Sequence, residues 1–370
     1  MFIVKEKERL VIDQIRRNPY VTQNELANEL QLSRSAVAGY ISSLIKKGII
    51  VGRAYVLPEE GTITCIGGAN IDRKASLKSN FQKNTSNPVS TTQALGGVAR
   101  NIAESLGRLS VPVTLLTVIG DDQEGIWLLD KTTPYVDTSH VLKLPGKNTG
   151  SYTAVLDDSG DMIVAFADMD ICEDVEVNFV RDKWSVIRSS KHVLLDTNFS
   201  TEVIEEIIRS CKEDQVPLCI APVSAPKIKQ LPEDLNGVTY LVCNYGEAIE
   251  LIGHKGDGYE QLADGILNKG VENVVITDGK NGIYYKQKQG TTNHLEAAEV
   301  HVTDATGAGD AFVAGLLYAL NEDKTLEEAC HVGMNCSALT LSTYETVSSR
   351  LNVTNLVKRK MNLVEELEIL

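Results

Sequence analysis

Seven residues, Asp304-Ala-Thr-Gly-Ala-Gly-Asp310, run straight into the apolar stretch Ala311 to Leu320, and this junction constrains the chain more than any other feature. A Gly-rich turn that opens directly into a helix leaves the first backbone N–H groups unpaired. The helix dipole adds about half a positive charge at that end. Together they make an anion site suited to a phosphate, or to the charge that develops as a phosphoryl group moves. A carboxylate in the same turn would repel a bound anion, so Asp310 is better placed to take a proton from an attacking hydroxyl. Read alone, Gly-Ala-Gly-Asp would serve tight helix packing equally well; the full seven-residue pattern is more specific. No Gly-x4-Gly-Lys-Ser/Thr occurs, so this is not a Walker A loop.

The 370 residues allow two or more domains around a large core, and 43% hydrophobic with 23% charged residues is ordinary for a globular chain. No apolar run reaches about 18 residues and the first residues, Met-Phe-Ile-Val-Lys-Glu, are not a signal peptide. Seven scattered cysteines without a Cys-x-x-Cys read as reduced thiols, which predicts a cytoplasmic protein with no membrane partner. The net charge of −14 is unevenly spread: residues 1–57 hold nine Lys/Arg against five Asp/Glu, leaving 27 basic and 45 acidic residues for the rest. The basic segment is a candidate for nucleic acid. The acidic remainder would need Mg²⁺ and local N–H dipoles to hold a polyanion.

Within residues 1–57, Lys5 to Arg17 reads as a helix with Leu10, Ile12 and Ile15 inward, stopped by Asn18-Pro19. Thr22 and Glu25 form a capping box for a second helix with Leu26, Ala27 and Leu30 on its apolar stripe. Ser33 caps a third, whose Val37, Ile41 and Leu44 face inward, and residues 49–57 read as a small hairpin. Three helices and a hairpin resemble a winged helix-turn-helix with Ser33–Lys46 as recognition helix. That resemblance puts Arg34, Ser35, Ala38 and Tyr40 near bases or phosphates and Arg53 in the wing; a module used only for protein contact is the other reading. Residues 58–61 would be the linker.

From residue 62 onward, strands alternate with helical periodicity, which indicates a parallel sheet covered on both faces. Residues 62–68 are an apolar strand ending in Gly67-Gly68, with Asn70 and Asp72 just beyond it, where ligands sit in open α/β sheets. Asp72 could accept from two vicinal hydroxyls, or lie in a solvent-facing turn. Gly96-Gly97 opens a helix that carries Asn101, and close backbone approach to a ligand is possible there. Val113 to Gly120 reads as one strand. Gly150–Leu156 and Asp161–Phe166 flank Asp157-Asp158-Ser159-Gly160 as a hairpin. Further strands are expected at His192–Asp196, Pro217–Ala221 and Thr239–Cys243, and residues 274–283 read as strand, turn, strand. Glu247, three residues after Asn244, reads locally as a favourable first-turn carboxylate.

In this order, Gly67-Gly68-x-Asn70-x-Asp72, Gly96-Gly97-x-x-x-Asn101, Asn244-x-x-Glu247, Thr277-x-Gly279-x-x-Gly282 and Asp304–Asp310 resemble the ribokinase-like (PfkB-type) sugar and nucleoside kinases over about residues 62–350. The resemblance implies a doubly wound, mostly parallel α/β domain over 62–370 with a small β-lid that includes about 147–171 and pairs two protomers into a homodimer. It implies ATP with Mg²⁺, Asp310 as general base, and Gly307, Ala308 and Gly309 N–H groups around the transferring phosphoryl. Asn70, Asp72, Gly96, Gly97 and Asn101 would hold the sugar. Asn244, Thr277, Gly279, Gly282, Thr306 and Asn335 would lie on the nucleotide side, with Glu247 holding Mg²⁺ through water. Asp304 and Thr306, with carbonyls around residues 342–346, match where relatives hold a monovalent cation such as K⁺.

The stretches Pro145–Tyr152, Phe166–Ile171, Asp196–Ser200, Ala221–Pro226 and Gly97-Val-Ala-Arg-Asn101 look like pseudouridine kinases, although Ala99 and Ala221 stand where that group often has Gly and Asp. The expected reaction is therefore phosphorylation of pseudouridine at its 5′-hydroxyl. A ribokinase or other nucleoside kinase is the alternative in the same class. A nucleoside-sensing transcriptional regulator is the alternative in another.

Overall fold

The computed structural model describes residues 5–19, 21–52, 59–253 and 258–356. The chain begins with α1 (Glu6–Arg17), α2 (Gln23–Glu29) and α3 (Arg34–Lys46). The capping box is present: Glu25 accepts from the Thr22 N–H at 2.7 Å, and Thr22 Oγ1 accepts from the Glu25 N–H. Val37, Ile41 and Leu44 are buried against Val11, Ile15 and Leu26. Leu10, expected inside, is 40% exposed, because α1 starts at Glu6 and its stripe runs through Glu8, Val11, Ile12 and Ile15. Glu8 is buried in that stripe and receives Lys47 Nζ and the Ser43 hydroxyl at 2.7 Å each. Burial opposes its charge, yet these bonds and the Lys5 N–H hold its pKa down to about 2. Ile49 to Gly52 form no strand, and the rest of the expected wing, Arg53 included, lies outside the described residues.

The second part runs β1 (Ile63–Ile66), β2 (Asn70–Leu77), β3 (Val89–Gly96), α4 (Val98–Arg108), β4 (Val113–Leu116), β5 (Val118–Gly120), α5 (Gln123–Thr132), β6 (Leu142–Leu144), β7 (Ser151–Leu156) and β8 (Met162–Asp168). It continues α6 (Val177–Ile187), β9 (His192–Asp196), α7 (Thr201–Asp214), β10 (Leu218–Ala221), β11 (Tyr240–Asn244), α8 (Tyr245–Ile252) and α9 (Tyr259–Asn268). Last come β12 (Asn273–Thr277), β13 (Ile283–Gln287), β14 (Asn293–Leu295), α10 (Ala308–Asn321) and α11 (Leu326–Leu341).

Among the described residues, eight strands form one sheet in the order β14-β13-β12-β11-β10-β9-β1-β4. The six strands from β12 to β4 are parallel, and β13 and β14 close one edge antiparallel. The central strands β1, β9 and β10 are buried at every residue, as the mainly apolar strands of a doubly covered sheet should be. Residues of α6, α7 and α9 cover one face, and those of α4, α10 and α11 cover the other. The fold is thus a doubly wound α/β domain with mostly parallel strands. The expected strand 113–120 is divided at Thr117: β4 pairs with β1, which ends at Ile66, so the chain beyond has no neighbour there and β5 pairs with β6 instead.

The hairpin expected near 147–171 is present as β7 and β8, but it is only half of the smaller sheet. Strands β2 and β3 complete a four-stranded layer in the order β3-β2-β7-β8. Asn70 and Asp72 therefore sit on a strand of the lid and not in a turn.

Candidate active site

Two glycine turns meet where β1 leaves the main sheet. Gly97 has φ +98° and packs so closely on Gly68 that any side chain there would overlap the Gly68 carbonyl. A side chain at Gly96 would likewise collide with the Asp72 carboxylate. This close packing brings the lid strand β2 onto the first turn of α4. Asn70 Nδ2 donates to Asp72 Oδ1 at 2.6 Å, and Asp72 stays half-buried. Burial raises its pKa; the Asn70 bond and the charges of Lys74 and Arg100 oppose the rise.

Asn101 is buried in α4 and its Nδ2 donates to Asp310 Oδ2 at 2.8 Å. Arg100, also buried, donates to Asn101 Oδ1 at 2.9 Å, which fixes the amide so that its nitrogen faces Asp310. Burial pushes Asp310 up to about 7; Asn101 opposes this, the charges of Asp196 and Asp72 add to it, and Arg100 opposes it. Asp310 thus holds a proton far more readily than an ordinary carboxylate, as a base working near neutral pH must.

At the mouth of α10, Gly307 has φ +79° and its Cα faces the Thr346 carbonyl so closely that a Cβ would overlap it. The Ala308 N–H turns back to the Ala305 carbonyl at 3.3 Å, so it does not point outward as expected. Among the described residues the N–H groups of Gly307, Gly309 and Asp310 donate to nothing. The open donors are therefore Gly307, Gly309 and the amide of Asp310 itself. Nothing lies within 4 Å of a Cβ built on Gly309.

Two cavities join at this point. One, of about 600 Å³, is lined by Thr277, Gly279, Gly282, Gly309, Met334 and Ser337 among others. The second, of about 180 Å³, is lined by Asn244, Glu247, Thr277, Gly309 and Asp310. Thr277 and Gly309 belong to both, so the larger cavity adjoins the one that reaches Asp310. Asn335 is not on the wall: Met334, Ser337, Ala338 and Leu341 form the facing stripe of α11, and Asn335 falls one position out of phase with it. The Tyr259 hydroxyl donates to Asp278 at 2.5 Å and steadies the turn that carries Gly279.

Glu247 makes the capping box that its position suggested, accepting from the Asn244 N–H at 2.8 Å. It is also buried, and burial against weaker opposition from Asn244 raises its pKa to about 7. Among the described residues no cation pairs with it, and a buried carboxylate that faces a cavity fits a site for Mg²⁺ held largely by water and phosphate oxygens. Among the described residues no group of three or more His, Cys, Asp or Glu side chains forms a metal cage.

Asp304 does not fit the K⁺ expected of it. Its Oδ1 accepts from the Thr306 N–H and hydroxyl at 2.8 and 2.7 Å, and its Oδ2 accepts from Lys74 Nζ at 2.9 Å. A cation is already in place.

Three participants escaped the sequence reading: Lys74, Arg100 and Asp196. Asp196 is fully buried and accepts from the N–H groups of Gly68, Ala99 and Asn198 at 2.9 to 3.0 Å. It binds both glycine turns to the end of β9. In the N-terminal part, Arg34 and Ser35 are exposed at the start of α3, while Tyr40 packs half-buried on the helical core.

The pattern of the pfkB family carbohydrate kinases matches residues 61–352, and that of a winged helix-turn-helix DNA-binding domain matches residues 5–51. A pseudouridine kinase of Escherichia coli is 32% identical over 318 residues, spanning 84% of this chain and 99% of the relative. An uncharacterised sugar kinase of the same organism, YeiI, is 31% identical over 339 residues, spanning 90% of this chain and 92% of the relative. A carbohydrate kinase structure from Agrobacterium tumefaciens superposes with a TM-score of 0.72 at 26% identity, covering 80% of this chain and 96% of that one.

Proposed function

This chain belongs to the pfkB family of carbohydrate kinases, and from that premise we propose that it transfers the γ-phosphoryl group of ATP to the 5′-hydroxyl of pseudouridine. The family membership makes it a sugar or nucleoside kinase, a phosphotransferase with an alcohol acceptor. The observation that carries the finer reading is the 32% identity to a pseudouridine kinase across 99% of that enzyme's length. The motifs at Gly97–Asn101 and Asp196–Ser200, which look like that group, lie at the candidate site itself.

In this reading Asp72, steadied by Asn70, accepts hydrogen bonds from the ribose hydroxyls, and Asn101 orients the sugar beside Asp310. Asp310 takes the proton of the 5′-hydroxyl as its oxygen attacks the γ-phosphorus. The bond from that phosphorus to the bridging oxygen breaks, and ADP leaves. The N–H groups of Gly307, Gly309 and Asp310 meet the charge on the transferring oxygens. Thr277, Gly279 and Gly282 line the space for ATP. Mg²⁺ at Glu247 would neutralise phosphate charge in a body whose own charge is negative. The lid excludes water, which otherwise competes for the phosphoryl group.

The domain limits that go with this reading are 1–57 for the winged helix, 58–61 for the connection and 62–370 for the kinase. The winged-helix match favours a second activity, DNA binding through Arg34 and Ser35, and hence a kinase that also regulates transcription. Met162 and Phe166, each 61% exposed on the lid, are where a second protomer would pair. A cytoplasmic location completes the proposal; among the described residues no helix is long and apolar enough to cross a membrane.

ADP release measured across pseudouridine, uridine, adenosine, ribose and fructose tests the assignment. The expected result is the highest kcat/KM with pseudouridine. A preference for free ribose or fructose would replace it with a sugar-kinase assignment.

A further inference from the structure

Side chains of β2 alternate between two faces of the lid sheet. Arg73 points to α5, where it pairs with Glu124, while Asp72 and Lys74 point to the candidate site. Lys74 Nζ reaches Asp304 Oδ2 at 2.9 Å across a sequence separation of 230 residues. The other oxygen of Asp304 caps the Thr306 N–H, one residue before Gly307, whose own N–H is open. Lys74, Asp304, Thr306 and the phosphoryl-binding turn are thus one bonded series from lid to anion site.

We propose that the Lys74 ammonium is a built-in monovalent cation: it does at Asp304 what a bound K⁺ would do, and makes the kinase independent of such ions. An ammonium carries the same single charge and satisfies the same carboxylate. Both Asp304 oxygens already accept hydrogen bonds, so a K⁺ arriving there would have to share Oδ2 with Lys74 Nζ and would be repelled by it. The neighbouring carbonyls, such as that of Thr346 packed on Gly307, could ligate a K⁺ only once the ammonium is gone, which is the state that Lys74→Met creates. A plain surface ion pair would be worth little. This pair differs because its carboxylate shapes the turn that receives the phosphoryl group, so Lys74 is a positioning residue acting through Asp304. The inference rests on the kinase reading but not on which nucleoside is the substrate.

The test compares the full-length protein with its Lys74→Met variant in KCl, NaCl and choline chloride at equal ionic strength, reading melting temperature without substrate and ADP release with it. The wild type should melt alike and turn over within about twofold in all three salts. Lys74→Met should lose about tenfold or more in choline chloride, regain it in KCl, and gain a K⁺-dependent rise in melting temperature. A wild type that needs K⁺, or a variant that K⁺ does not rescue in turnover and melting, overturns the proposal. If Lys74→Met does not fold, Lys74→Gln takes the same measurements. The melting shift requires no substrate, so a wrong nucleoside assignment cannot mimic its failure.

Discussion

The side-chain amide of Asn101 donates to the carboxylate of Asp310 at 2.8 Å, joining the first turns of two helices that are 209 residues apart in the chain. The bond favours the charged carboxylate, against burial and the nearby charges of Asp196 and Asp72, which together put the pKa at about 7. A general base acts only when deprotonated. The kcat/KM of the wild type should therefore rise with pH up to about 7 and level off above it. Replacing Asn101 by Ala removes the opposing bond, so this limb should move to higher pH. A pH profile of ADP release decides the point, and an unmoved limb would mean that Asn101 does not tune Asp310.

Asp310→Asn should cut turnover by about 10² to 10⁴, the usual worth of a positioned base, while nucleotide binding by calorimetry persists. The same variant should be more stable above neutral pH. An unfolded Asp titrates near its ordinary value of about 3.9, whereas the folded Asp310 holds its proton to about 7. Between those values the folded state binds the extra proton, so stability from this group is full below the lower pKa and is lost as pH rises through the upper one. Asn carries no charge to desolvate. Its melting temperature should exceed that of the wild type by several degrees at pH 8, with the gap closing towards pH 4; a gap that is constant with pH would contradict the burial argument.

Gly307 and Gly309 should fail in opposite ways. Ala at 307 would force a left-handed backbone on a residue with a Cβ and drive that Cβ into the Thr346 carbonyl. Both effects act on folding, so Gly307→Ala should lower the melting temperature as well as turnover. Gly309 has open space around its would-be Cβ and lines both cavities. Gly309→Ala should keep the wild-type melting temperature and lose ATP binding, because the methyl stands where a phosphate would approach. Equal melting losses in the two variants would refute this division.

Where the chain was legible, it was legible for physical reasons. Thr22, Ser33 and Asn244 announce their helices because cap chemistry is local. The buried strands β1, β9 and β10 are mainly apolar runs. The lid strands β2 and β3 were missed because Asn-Ile-Asp-Arg-Lys-Ala-Ser-Leu and Val-Ser-Thr-Thr-Gln-Ala-Leu-Gly show no apolar alternation. Asp72 and Lys74 of β2 face the site and β3 is largely exposed, and polarity reads as loop. Lys74 and Asp196 went unassigned for a related reason: their partners Asp304, Gly68 and Ala99 are distant in sequence, and spacing rules see only neighbours. Arg100 bonds its own neighbour Asn101, but only the packing of α4 shows that this orients the amide towards Asp310. Asn335 was placed by resemblance, and the phase of α11 puts its neighbours on the wall instead.

The N-terminal helices make a separate prediction. Arg34 and Ser35 are exposed in the first turn of α3, the helix that a winged helix-turn-helix would lay in the major groove. With nine basic and five acidic residues in 1–57, the positive excess is modest. Binding should therefore be weak at physiological salt and steeply salt-dependent, each neutralised phosphate contributing about 0.9 to the log–log slope. Arg34→Ala should weaken binding to genomic fragments in gel shifts. If Arg34 contacts a phosphate, the slope should also fall by about 1. Because Arg34 lies outside both cavities, ADP release by the same variant should equal that of the wild type. Retention insensitive to salt, or no retention at low salt, would leave the module with a protein-contact role instead.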